Sequence, residues 1–78
     1  MPITAQDIRS NLMSSDAEFQ RLAKEHSDYE AQLEQLHQQP YLSSEDLLLE
    51  VKLKKLKLRV KDQMEQLVAQ HLHSIAHP

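Results

Sequence analysis

The chain has 78 residues, a formal net charge of −3 and 27% charged residues, and it contains neither glycine nor cysteine. A chain of this length predicts one small domain, 1–78, and one phenylalanine and two tyrosines provide little bulk for its core. The lack of cysteine excludes disulfides and thiolate chemistry, and no apolar segment approaches the roughly 20 residues of a membrane-spanning helix. We expect a soluble, cytoplasmic protein.

The charges are divided between two parts of the chain. Six of the nine basic residues lie between Lys52 and Lys61, whereas residues 16–34 hold six acidic residues against Arg21 and Lys24. Segments of opposite charge are expected to lie side by side in the fold.

The first predicted element is a short helix over about residues 5–13. Thr4 and Asp7 have the spacing of a capping box, in which each side chain accepts a hydrogen bond from the other residue's backbone. The helix either continues past Ser14 or breaks there. We expect a break, because Ser15 offers a second N-cap.

The first long helix is predicted over about residues 16–38. Pro40 ends it, since proline lacks a backbone donor and restricts the residue before it. Apolar or ring-bearing residues recur at intervals of three and four, which places them on one face. These predicted core residues are Phe19, Leu22, His26, Tyr29, Leu33 and Leu36.

The second long helix is predicted over about residues 44–75, with Ser43 and Asp46 as its capping pair. Residues 51–60 alternate locally as a strand would, but a run of about 30 residues without glycine or proline favours a helix. One face supplies the predicted core residues Leu49, Leu53, Leu56, Val60, Met64 and Leu67. A second face, about half a turn away, carries Leu47, Val51, Leu58 and Leu72.

The predicted fold class is all-α, an antiparallel helical hairpin preceded by a short helix. A turn at residues 39–42 pairs the helices so that Leu33 meets Leu49, Tyr29 meets Leu53, Phe19 meets Met64, Ile8 meets Ile75 and Leu12 meets His71.

Such a hairpin covers only one of the two apolar faces of its second long helix, and two helices bury little surface. We therefore predict a symmetric homodimer that forms a four-helix bundle. The predicted interface consists of Leu47, Val51, Leu58 and Leu72.

Histidines are the only residues whose spacing suggests a metal site. His73 and His77 stand at i, i+4, but no carboxylate follows Glu65 to complete a ligand set. For His26 and Tyr29 a packing role is favoured over acid-base or metal chemistry. We expect no metal site and no cofactor.

No pattern indicates catalysis. The chain has no glycine-rich phosphate loop, no nucleophile beside a base in a recognisable context, and too few residues to close a concave pocket. We expect neither an enzyme nor a small-molecule substrate.

The basic stripe between Lys52 and Lys61 has three interpretations. The favoured one is a solvated face, whose lysine stems cover apolar surface near the acidic helix. If the protein is an interaction module, Lys52, Lys55 and Arg59 are the predicted contacts to an unidentified protein partner. Binding to nucleic acid or to an anionic membrane surface is the alternative, but the net charge is negative and no aromatic residue interrupts the stripe.

Two segments resemble a known family. Residues 16–29 (DAEFQRLAKEHSDY) and 53–64 (LKKLKLRVKDQM) are similar to the YdcH-like family of small bacterial proteins, a family of unknown function. The resemblance covers about residues 7–67, with Tyr29 where leucine is usual and Leu56 where a polar residue is common. It implies a cytoplasmic, dimeric helical hairpin and brings no activity, cofactor or catalytic residue. The sequence thus predicts a non-catalytic, homo-oligomerising interaction module.

Overall fold

The computed structural model describes residues 3–76, and side chains from residue 3 to residue 74. Within this part of the chain there are three helices and no strand: α1 (Ala5–Ser15), α2 (Ala17–His37) and α3 (Ser44–Ala76). α2 and α3 form a long antiparallel hairpin, and the molecule measures 54 × 21 × 17 Å. The predicted all-α hairpin with a short preceding helix is confirmed.

Both predicted capping boxes are present. The Thr4 amide donates to Asp7 Oδ2 at 3.0 Å, and the Asp7 amide donates to Thr4 Oγ1 at 3.2 Å. Ser43 and Asp46 make the same reciprocal pair at the start of α3, each at 3.1 Å. These bonds satisfy backbone donors that have no partner inside the helix, so they fix where α1 and α3 begin.

The break between α1 and α2 lies at Asp16, later than predicted. Asp16 has extended backbone angles (φ −112°, ψ 114°), and its carboxylate accepts a hydrogen bond from the Phe19 amide at 2.9 Å. Ser15, the predicted cap, instead ends α1 and donates its hydroxyl hydrogen to the Asn11 carbonyl at 2.7 Å. A carboxylate one residue further on is therefore the N-cap of α2.

α1 folds back over the C-terminal half of α3. Its buried residues Ile8 and Leu12 pack with Phe19 and Val68, and Arg9 forms an ion pair with Glu65.

The predicted neighbour of Leu12 was wrong, because His71 is exposed and Leu12 packs in the Val68 cluster. The single extended residue at Asp16 redirects the chain, so α1 does not continue the line of α2. The predicted contact of Ile8 with Ile75 falls on a side chain outside the described residues.

The register of the hairpin also differs from the prediction. Lys57 Nζ lies 3.0 Å from Glu30 Oε1, and His37 Nε2 lies 2.7 Å from Glu50 Oε2. The predicted register places Lys52 opposite Glu30, so α3 is displaced by about five residues, a little more than one turn. His37 is the last residue of α2, and hence the turns of α3 before Glu50 extend past the end of α2.

This displacement changes the core at both ends. Leu49, predicted to face Leu33, lies beyond the end of α2 and is 41% exposed. Val68, which was not among the predicted core residues, is 4% exposed and packs in the cluster of Phe19. The connection of residues 38–43 advances along the hairpin axis before the chain turns back into α3. Leu42 within this connection packs on the Leu33 cluster.

The other predicted core residues lie along the hairpin interface. Those fully buried are Phe19, Leu22, Leu33, Leu36, Leu53 and Val60. Those of intermediate burial are His26, Tyr29, Leu56, Met64 and Leu67.

Candidate interaction surface

The second apolar face of α3 is open to solvent. Leu47 and Val51 are each 50% exposed, Leu58 is 61% exposed and Leu72 is 39% exposed. At 100° per residue these side chains share a strip with three charged residues at the same helical spacing. We call this strip the α3 seam; its members are Leu47, Val51, Lys54, Leu58, Lys61, Glu65 and Leu72.

The molecule exposes more surface than a compact chain of its mass. Its accessible area is 6042 Å², whereas a monomer of 9.1 kDa is expected to expose roughly 4,900 Å². Its radius of gyration is 16.1 Å, against roughly 11.5 Å for a compact domain of this length. The excess of roughly 1,100 Å² exceeds the about 800 Å² that each partner buries in a standard protein interface.

A groove of about 990 Å³ runs between α2 and α3 next to the seam. Four residues belong both to the seam and to the groove wall: Lys54, Leu58, Lys61 and Glu65. The opposite wall is formed by α2, with His26, Glu30, Leu33, Glu34 and His37.

Part of the charge of the groove is paired, whereas Glu34 and Lys61 make no ion pair with any residue in 3–74. Lys57 lies close to Glu30, and this hydrogen bond is the main reason that the Glu30 pKa lies below its ordinary value. The hydrogen bond from His37 has the same effect on the pKa of Glu50, and Lys54 Nζ contacts the same carboxylate at 3.6 Å. These contacts hold α2 and α3 in register and leave the groove with a mixed lining.

His26 and Tyr29 both lie at the hairpin interface. His26 Nδ1 is 3.8 Å from Glu30 Oε1, and Tyr29 is half-buried against the cluster of Leu33, Leu36 and Leu53. Both rings therefore pack against the hairpin and have structural neighbours.

The basic stripe divides into two sets. Lys54 and Lys57 make ion pairs with α2 or α3 carboxylates. Lys52, Lys55 and Arg59 are exposed and make no ion pair with any residue in 3–74. At i, i+3 and i+7 they share a face of α3 away from the groove.

The C-terminal histidines show no assembled metal site. His73 lies near the end of α3, and His77 lies outside the described residues. Among the residues that the structure describes, no three histidine, aspartate or glutamate side chains are placed to hold a metal ion.

Two features of this surface were not predicted. The groove arises from the position of α1 and from the displaced register, which sequence spacing does not define. Leu48 at 72% and Tyr41 at 85% exposure lie at the projecting end of the hairpin, and the run of leucines at 47–49 was the signal that this end carries apolar residues on several sides.

Between residues 3 and 76, no helix is long and apolar enough to cross a membrane. Residues 19–68 match the model of a family described as "Protein of unknown function (DUF465)", which is more than half of the chain. This match confirms the resemblance to the YdcH-like family. Comparisons with curated proteins and with solved structures found no match.

Proposed function

This chain belongs to DUF465, the YdcH-like family of unknown function, and we propose that it is a non-catalytic helical module that self-associates through the α3 seam. The partner in this proposal is a second copy of the chain, and the product is a symmetric dimer in which two hairpins form a four-helix bundle. We place this dimer in the cytoplasm, as the family resemblance implies.

The exposure of the seam carries the proposal. Leu47, Val51 and Leu58 leave half or more of their surface in water. Complete burial of such a side chain contributes about 1.5–3 kcal/mol, so covering the exposed half of each contributes roughly half of that for every one of the three residues in each copy. Apolar side chains that are exposed together on one helix face commonly mark a protein–protein interaction site.

The thin core supports the same conclusion. Most of the fully buried hydrophobic residues form two small clusters, one between α2 and α3 and one in which α1 packs on both long helices. Chains below about 80 residues usually need a further source of stability, such as a disulfide, a metal or oligomerisation. The chain has no cysteine, and a second copy supplies the missing apolar contacts.

Sedimentation velocity over a concentration series tests self-association. We expect a mass twice that of the monomer at micromolar concentration, with dissociation on dilution. A folded species that sediments as a monomer at every accessible concentration would disprove the proposal.

A second candidate function is binding to an anionic surface through Lys52, Lys55 and Arg59. The observation in its favour is that these exposed cations have no ion-pair partner within residues 3–74. Binding of this kind weakens steeply with salt. Titration with duplex DNA, RNA and anionic vesicles at increasing salt concentration checks it, and the absence of salt-dependent affinity counts against it.

A further inference from the structure

From either end, the α3 seam begins with a leucine and reaches a charged residue two levels later. From the N-terminal end, Leu47, Val51, Lys54 and Leu58 follow at intervals of four, three and four residues. From the other end, Leu72 is followed by the exposed Ala69, then Glu65 and Lys61, at intervals of three, four and four residues, because Val68 at the same level is buried in the cluster of Phe19. The two sets of intervals differ only in their order, so Leu47 and Leu72, and likewise Lys54 and Glu65, lie at equal distances from the middle of the seam.

From this symmetry we infer that two copies pair their α3 helices antiparallel, with Lys54 of each copy contacting Glu65 of the partner subunit. The inference rests on the proposed self-association and adds its orientation and its specific contacts. The twofold axis then passes between Leu58 and Lys61, and the pairs Leu47 with Leu72 and Lys54 with Glu65 each occur twice.

The charges agree with this orientation. Lys54 and Glu65 have opposite signs, and their side chains are 57% and 44% exposed, so both are accessible. The apolar residues Leu47 and Leu72 meet at the two ends of the contact. At its centre, the aliphatic stem of Lys61 covers Leu58 while its ammonium group remains in water.

A parallel pairing has the opposite consequence. It places each seam residue beside its own copy, so that Lys54 meets Lys54, Lys61 meets Lys61 and Glu65 meets Glu65. Like charges at three levels of one seam repel, and charged positions of this kind determine helix orientation in coiled coils. The seam therefore favours the antiparallel arrangement both by attraction and by exclusion of the alternative.

Arg9 orients the Glu65 side chain for this contact. It pairs with Glu65 Oε1 from α1, which restricts the glutamate side chain and leaves Oε2 available to a second cation. In the same way, Glu50 restricts the Lys54 side chain, since Glu50 Oε1 lies 3.6 Å from Lys54 Nζ. Arg9 and Glu50 are positioning residues, since each acts on the partner copy through its neighbour.

A charge-exchange experiment tests the pairing. We expect Lys54→Glu and Glu65→Lys each to weaken dimerisation about tenfold or more, because each change places like charges together twice. An equimolar mixture of the two variants restores complementary pairs, so it should form a heterodimer with near-original affinity. Lys24→Glu, a charge reversal at an exposed position on α2, serves as the matched control and should have little effect.

Circular dichroism of each variant shows whether the monomer remains folded. This control matters for Glu65→Lys, because that substitution also removes the ion pair between Glu65 and Arg9. The mixing experiment keeps the inference falsifiable, since a merely damaged monomer does not regain affinity in the mixture. Two folded variants that fail to form a heterodimer would overturn the Lys54–Glu65 pairing.

Spin labels measure the orientation independently. The chain has no cysteine, so Glu45→Cys gives one labelling site, on an exposed residue off the seam. Antiparallel pairing places the two labels about 44 Å apart along the helices, whereas parallel pairing brings them within roughly 20 Å. A dimer with the long distance supports the inference, and a dimer with the short distance overturns it while leaving self-association intact. If the labelled chain is a monomer, so that no distance between two labels is observed, the proposed function is overturned as well.

Discussion

Lys57 on α3 donates a hydrogen bond to Glu30 on α2 at 3.0 Å, and this contact marks the register of the hairpin. The same register brings His37 to Glu50 at the end of α2. It leaves the first turns of α3 uncovered and moves Val68 into the core with Phe19. The displacement therefore determines which leucines of α3 are in contact with solvent.

Paired alanine substitutions test this register. Val68→Ala should lower the free energy of unfolding by about 1–2.5 kcal/mol, because it removes two methyl groups from a buried cluster. Leu49→Ala removes a larger side chain, but from a site beyond the end of α2, and should cost less than about 1 kcal/mol. Urea denaturation at one protein concentration measures both. A larger loss for Leu49→Ala would favour the register expected from the sequence.

The seam is tested by a charge placed on its most exposed leucine. Leu58→Lys should raise the dimer dissociation constant by about tenfold or more, since the new ammonium group would face Lys61 of the partner subunit. Leu48→Lys is the matched control, because Leu48 is also exposed on α3 but lies off the seam. Sedimentation equilibrium gives both constants. Equal effects of the two substitutions would show that the interface is elsewhere on α3.

The break between α1 and α2 depends on the Asp16 side chain. Asp16→Ala should destabilise the fold by about 1 kcal/mol, because the Phe19 amide loses its acceptor. Asp16→Asn retains an oxygen acceptor and should lose less. Ser15→Ala is the control, since the Ser15 hydroxyl bonds backward to Asn11. Thermal melts at fixed concentration rank the three variants, and a Ser15→Ala effect larger than that of Asp16→Ala would contradict the assigned cap.

Stability should decline in acid. The pKa of Glu30 is lowered mainly by the hydrogen bond from Lys57, that of Glu50 mainly by the hydrogen bond from His37, and that of Asp7 mainly by the Thr4 backbone amide. A carboxyl whose pKa is lower in the folded state stabilises the fold above its ordinary pKa of about 4, and this contribution disappears as the pH falls through the lowered value.

We therefore expect the melting temperature to fall as the pH is lowered below about 4.5. Glu30→Gln should make this fall shallower, since one of the three groups no longer titrates. Calorimetry between pH 3 and pH 6 provides the comparison. An acid dependence that is unchanged in Glu30→Gln would mean that the Lys57 contact contributes nothing to it.

The sequence predicted those features that depend on neighbouring residues. Both capping boxes, at Thr4 and at Ser43, connect groups three residues apart, so their spacing alone defines them. The apolar spacing similarly predicted most of the buried face of α2. The register was not predictable in this way, because it depends on the path of residues 38–43 in space.

The candidate surface was predictable only as a strip. The spacing of Leu47, Val51, Leu58 and Leu72 placed them on one face, and their exposure in the described structure agrees with that placement. The groove beside the strip required the position of α1, which follows from one extended residue at Asp16. A long-range pair such as Arg9 with Glu65 leaves no signal in local spacing.

The shortness of α1 has a consequence for local unfolding. A helix of 11 residues is marginal on its own, so α1 depends on the contacts of Ile8 and Leu12 with the long helices. When those contacts open, Phe19 and Val68 become accessible to water, and Glu65 is released from Arg9. Amide hydrogens of α1 should thus exchange with solvent before those of the hairpin, and the end of the hairpin beside α1 gains an apolar surface that the closed molecule conceals.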